Sequence, residues 1–192
     1  MTEQQILFVN ACIRKNSRTR FLAEQVIRQL NGTVVEVNPV TATEPITSEE
    51  FIINRTDATR RMDFADPAYA PARQFAEADI IVVAAPYWDL SFPAILKAYF
   101  EQVNVLGLTF EYTEDGFPRG LCKARKLIYV TTAGGPIISD EYGYGYVKSL
   151  AQVFYGIDDV CQVKAESLDV IGADAEGILN KALEEFKHET GF

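Results

Sequence analysis

Residues 14–19, Arg-Lys-Asn-Ser-Arg-Thr, crowd guanidinium, amide and hydroxyl donors into one short stretch ahead of an amphipathic run. Ser17 is of the type that caps a helix. A helix start offers unpaired N–H groups and the positive end of a dipole to an anion. The stretch has no glycine and no GxxxxGK[ST], so it does not read as a nucleoside-triphosphate loop, and the dinucleotide pattern GxGxxG is also missing. One phosphate, held mostly by side chains of Asn16, Ser17, Arg18 and Thr19 with Arg14 nearby, fits these residues. The plain alternative is a capped helix with solvated arginines. A second group is Pro86, Tyr87, Trp88, Asp89 and Leu90, which holds the only tryptophan of the chain. Turns face water, so two large aromatics in one need cover. Either a flat ring stacks on them, or they pack on a neighbouring element or a second subunit. A third group is Thr132-Ala133-Gly134-Gly135. Its paired glycines admit a close approach of backbone to a ligand, or make an ordinary turn.

The elements around these groups are legible as apolar runs. ILFVN (6–10), TVVEVN (33–38), DIIVVAA (79–85), KLIYVTT (126–132) and VCQVKAESLDV (160–170) read as strands. Helices are predicted over 16–32, 91–105, 144–156 and 177–189, with short ones near 48–62 and 67–77. Pro93 is expected in the first turn of the helix 91–105, where a missing N–H costs nothing. That helix carries Phe92, Ile95, Leu96, Tyr99, Phe100 and Val103 on one face, which with Phe110 and Tyr112 of the segment that follows offers apolar area for a dimer. TFEYTEDGFPRG (109–120) alternates around Asp115-Gly116 and reads as a hairpin. Residues 39–65 are polar and read as a surface excursion from a single domain spanning 1–192.

Strands that alternate with helices and are apolar throughout imply a parallel sheet covered on both faces. Five of them fit an α/β doubly wound order of 2-1-3-4-5, with ligands beyond the carboxyl ends of strands 1 and 3. All three chemical groups follow strands at that edge. A phospho-acceptor domain of the same order needs clustered carboxylates for a metal, and strand 1 ends in Asn10-Ala11-Cys12 instead. No metal site is expected.

The chain has 18 Lys and Arg against 27 Asp and Glu, a net charge of −9, which disfavours nucleic acid as a partner. No apolar run reaches the roughly 18 residues of a membrane span, and the start MTEQQ lacks a basic signal region. The cysteines, Cys12, Cys122 and Cys161, are odd in number and unlike a zinc or disulfide framework in spacing. A cytoplasmic protein with reduced thiols is expected.

The stretches AAPYWDLSFPAILKAYFEQV, GLTFEYTEDGFPRGL and KLIYVTTAGG resemble the flavodoxin-like NAD(P)H dehydrogenases of the FMN-dependent NADH:quinone oxidoreductase and azoreductase type. The resemblance implies a flavodoxin-like three-layer sandwich, a homodimer, and FMN as cofactor. It implies two-electron transfer from NADH or NADPH to quinones or azo and other aromatic acceptors. By position, Ser17, Arg18 and Thr19 correspond to the phosphate turn, and Cys12 to a place near the ribityl chain. Pro86, Tyr87, Trp88, Asp89 and Leu90 correspond to the loop along the flavin edge, and Thr132, Ala133, Gly134 and Gly135 to its pyrimidine end. The flavin N5 carries the hydride, so no side chain is assigned as catalytic, and Tyr87 and Asp89 are candidate substrate contacts. Asp89-Leu90 stands where azoreductases often have Asn-Phe, and Thr-Ala-Gly-Gly where they have Ser-Arg-Gly-Gly. A flavodoxin-like electron carrier and a non-catalytic flavin-binding sensor are the other readings. The only histidine, His188, is expected on the surface of the last helix.

Overall fold

A computed structural model describes residues 3–43 and 45–190. Five parallel strands form one sheet: β1 (Gln5–Asn10), β2 (Thr33–Val37), β3 (Ile80–Ala84), β6 (Lys126–Thr132) and β7 (Asp159–Ala165). Their spatial order is β2-β1-β3-β6-β7, the doubly wound order expected from the runs. A separate antiparallel pair, β4 (Phe110–Tyr112) and β5 (Pro118–Gly120), makes the hairpin.

The middle residues of the central strands are apolar because both faces are covered. Leu7, Val9, Ile81, Val83, Leu127 and Tyr129 point to one side. There they meet Phe75 of α4 (Ala70–Glu77), Leu96, Tyr99, Phe100 and Val103 of α5 (Ala94–Val103), and Val147 and Leu150 of α6 (Tyr146–Leu150). Ile6, Phe8, Ile80, Val82, Ile128 and Val130 point to the other side. They meet Leu22, Ala23 and Val26 of α1 (Arg18–Ile27) and Leu179, Ala182 and Phe186 of α7 (Ala175–Thr190). Each such buried side chain contributes about 1.5–3 kcal/mol of transfer free energy.

The polar segment holds a short α2 (Pro39–Ala42) and α3 (Glu49–Arg61). Ser48 caps α3 by accepting from Phe51 N at 3.2 Å. Ala58 packs with Tyr69, Ala72 and Val105 in a small cluster of its own. Arg55 donates to the carbonyls of Glu101, Gln102 and Asn104, so α3 supplies a cation to the exposed carbonyls at the end of α5.

Several expected boundaries move. The strand expected over 160–170 ends at Ala165, because 166–169 turn back to bond the 133–135 turn. Pro93 precedes α5 rather than lying within it, since its ψ of 138° is extended. The helix expected over 144–156 is α6 continued by π turns at Glu141–Gly145 and Ala151–Tyr155. The apolar face of α5, read as area for a second subunit, is core of this chain: Leu96, Tyr99, Phe100 and Val103 are fully buried. His188 is exposed on α7, as expected.

Candidate functional site

The sheet register sets the site. Asn10 pairs with Ala84, and Ala84 with Val130, so β1, β3 and β6 end nearly level. The bonding continues past the strand ends, with Ala11 N to Ala84 O at 2.9 Å and Tyr87 N to Thr132 O at 3.0 Å. Three loops therefore leave the same edge as fixed neighbours, at the point where the chain direction across the sheet reverses between β1 and β3.

Between them lies a cleft of about 220 Å3, lined by Ile13, Arg14, Asn16, Ser17, Arg18, Thr19, Pro86, Tyr87, Trp88, Thr132, Gly134 and Asp169. Ser17 caps α1, accepting from Arg20 N at 3.2 Å. The first turn of α1 lines the cleft, and the N–H groups that a helix start leaves unpaired favour an anion. Thr19 and Thr132 share a buried hydrogen bond of 2.6 Å, which ties α1 to the end of β6.

The aromatic loop is a tight turn. Trp88 N donates to Ser91 O at 3.0 Å and Ser91 N to Trp88 O at 2.8 Å. Asp89 and Leu90 between them have φ of 49° and 69°. Two consecutive left-handed residues that are not glycine are unfavourable, and such strain gathers at functional sites. The turn holds Trp88 at the rim, 39% exposed, so it is not a core side chain. Tyr87 accepts from Ser139 N at 3.4 Å, and Ser91 Oγ donates to Tyr142 O at 2.6 Å, linking this loop to the first π turn. π turns recur at functional sites.

Of the residues expected at the site, Ser17, Arg18, Thr19, Pro86, Tyr87, Trp88, Thr132 and Gly134 line one cleft. Cys12, Asp89, Leu90, Ala133 and Gly135 do not. Cys12 is buried in the core with its thiol 3.8 Å from Ala84 O, and burial raises its pKa, which keeps it protonated at neutral pH. Asp89 and Leu90 turn their side chains outward, and Ala133 is buried. Sequence reading missed Asp169, which it placed inside a strand. The signal was present in the polar Glu166-Ser167 that interrupts the apolar run.

A second cavity, of about 420 Å3, lies between α3 and the turn at Pro67–Tyr69. It mixes Arg55, Arg61, Asp57, Asp63 and Asp66 beside Phe51 and Tyr69. That cavity lies away from the carboxyl ends of the strands, whereas the smaller cleft gathers the three loops that leave them, so the smaller cleft is the candidate site.

The donors, the rim aromatic and the glycine floor fit a phosphate attached to a flat ring. The volume lies below the roughly 300–1,000 Å3 common for small-molecule pockets. The cleft thus takes one end of such a ligand and leaves much of it at the open mouth.

Residues 4–189 match the family described as flavodoxin-like fold. A protein of Clostridium acetobutylicum named FMN-dependent NADH:quinone oxidoreductase 2 is 46% identical over 123 residues, 62% of this chain and 60% of that protein. The FMN-dependent NADH:quinone oxidoreductase of Coprothermobacter proteolyticus is 34% identical over 195 residues, 94% of this chain and 95% of that protein. The azoreductase of Bacillus anthracis superposes with a TM-score of 0.79 at 29% identity, covering 95% of this chain and 96% of that one. Sheet order, ligand edge and near-full-length similarity agree, and this chain belongs to the flavodoxin-like family of FMN-dependent NADH:quinone oxidoreductases.

Proposed function

We propose that this chain binds FMN in the 220 Å3 cleft and uses NADH or NADPH to reduce quinones, or azo and other aromatic acceptors. The observation that carries the reading is the convergence of three loops. The α1 start, the 86–88 turn and the 132–134 turn bring anion donors, an aromatic rim and close backbone to one place. The relatives named for FMN, NADH and quinone support it, as does the azoreductase of like fold. When bound, FMN would supply the two-electron redox chemistry between the nicotinamide and the acceptor.

The chain supplies binding, orientation and exclusion of water. Ser17, Arg18 and Thr19 hold the phosphate at the helix start, with charge-assisted bonds of the kind that are short and strong. Trp88 and Tyr87 would hold the ring, and the backbone of the 86–90 and 132–135 loops would meet it. No side chain takes the hydride. Tyr87, which lines the cleft, contacts the acceptor, whereas Asp89 stands outside the cleft on the turn beside it.

The protein acts as one domain, in the cytoplasm, a placement supported by three free thiols. It works as a homodimer, and the support lies at the cleft mouth rather than on α5. Ile13, Leu90, Ile138, Tyr142 and Ile171 are exposed apolar side chains on or near the loops that form the mouth. A second subunit covering them would also close the open side of the ring.

Reconstitution with FMN tests the binding. The purified protein should show flavin absorbance bands, and NADH should be oxidised in the presence of menadione or an azo dye. Flavin bands without turnover would favour the carrier or sensor reading, and failure to bind FMN would remove the flavin reading altogether.

A further inference from the structure

Arg18 is already engaged in this structure. Its two terminal nitrogens meet both carboxylate oxygens of Asp169, Nη1 to Oδ1 at 2.9 Å and Nη2 to Oδ2 at 2.9 Å. Nη1 also donates to Leu168 O at 3.2 Å. This paired fork is the same edge of the guanidinium that clasps a phosphate.

Asp169 is built into the cleft. Its N–H donates to Gly134 O at 2.8 Å, Leu168 N to Ala133 O at 3.2 Å, and Ser167 N to Gly135 O at 2.9 Å. These bonds strap the segment after β7 along the 133–135 turn. Ser167 accepts a φ of 63° to make the bend. The carboxylate lies over Gly134 so closely that any Cβ there would collide with it. The hydrogen bond from Arg18, with the charge of Arg14 adding to it, holds the Asp169 carboxyl below its ordinary range, so it is charged at neutral pH.

We infer that Asp169 is an internal competitor for the phosphate: a fixed carboxylate that occupies the Arg18 fork and sets the affinity of the cleft for phosphorylated over unphosphorylated flavin. The inference rests on the FMN reading of the cleft. An incoming dianion must displace the carboxylate from Arg18 or be held by the remaining N–H groups alone. Either way, the negative charge beside it opposes binding. The backbone straps keep residues 167–169 in place, so the exchange needs only rotation of the Asp169 side chain. Both partners are partly solvated, with side-chain exposures of 38% for Arg18 and 65% for Asp169. Solvent screens the pair, and the effect is correspondingly modest.

The test is titration of the apoprotein with FMN and with riboflavin, followed by calorimetry, for wild type, Asp169→Asn, Arg18→Ala and the double variant. Asp169→Ser serves as a second removal of the charge. Either charge removal should tighten FMN about three- to tenfold, the scale of one screened charge beside a phosphate, with riboflavin changed less than about twofold. Arg18→Ala should cost more FMN affinity in the Asp169→Asn background than in the wild type, because the arginine is then free of its competitor. Unchanged or weaker FMN binding in both Asp169 variants would overturn the inference. Equal tightening of FMN and riboflavin would also overturn it, since the carboxylate would then obstruct the ring and not the phosphate. Wild type that binds neither flavin would instead overturn the FMN reading, and this inference with it.

Discussion

Trp88 and Leu90 sit two residues apart in one turn, and the turn treats them differently. Trp88 is at the rim, so truncating it removes little core. Trp88→Ala is expected to leave the unfolding temperature of the apoprotein almost unchanged and to weaken FMN by about 1–3 kcal/mol, the scale for losing one flat stacking partner. As the sole tryptophan, it also reports its own position: its emission should be quenched in the FMN-loaded protein and recover when FMN is removed. Leu90 carries a φ of 69°, where a branched L side chain is strained. Leu90→Gly should stabilise the apoprotein by about 0.5–1 kcal/mol in chemical denaturation, the relief of a left-handed residue less the added chain entropy. The donor-rich 16–19 stretch and the aromatics were legible in the sequence because their chemistry is local. Asp169 was not, since its meaning comes from Arg18, 151 positions away.

At the scale of elements, Asp79 shows how one residue ties together the starts of neighbouring strands. Its Oδ2 accepts from Gln5 N at 2.9 Å, its Oδ1 meets Lys123 Nζ at 2.8 Å, and its own carbonyl accepts from Arg125 N at 3.0 Å. The Gln5 N–H first, then Lys123, lowers its pKa. A carboxyl depressed in the folded state stabilises the fold above its ordinary titration range, and that contribution is lost as the pH falls through the folded value. Asp79→Asn should therefore unfold at lower temperature than wild type at pH 7, and the gap should close on acidification below about pH 4. Melts followed by circular dichroism across that range give the comparison. The five strands were legible because their runs are apolar on both faces. The π turns beside α6, and the end of β7 at Ala165, were not. Gly145 N reaching Asp140 O at 2.7 Å leaves no periodic signature, and β7 stops where its residues find the 133–135 turn. The α5 face misled for a related reason. A hydrophobic stripe announces burial but does not name what buries it.

For the whole molecule, the open side of the cleft matters most. The proposed dimer predicts a sedimentation mass of two chains at micromolar concentration, and loss of mass and of activity together when Ile138 or Ile171 is replaced by Lys. A monomer with full activity would refute it. The sheet order has a further consequence, for the time at which the cleft comes into being. β1 is made first yet lies between β2 and β3, and the cleft wall at Asp169 is made nearly last. At the roughly 5–20 residues per second of a ribosome, the α1 start waits about 8–30 s for its opposite wall to be synthesised. Through that interval the nascent chain has the α1 start but not the wall that faces it across the cleft. The complete cleft is thus a product of the end of synthesis, and whatever it holds can meet all three loops only after Asp169 has left the ribosome.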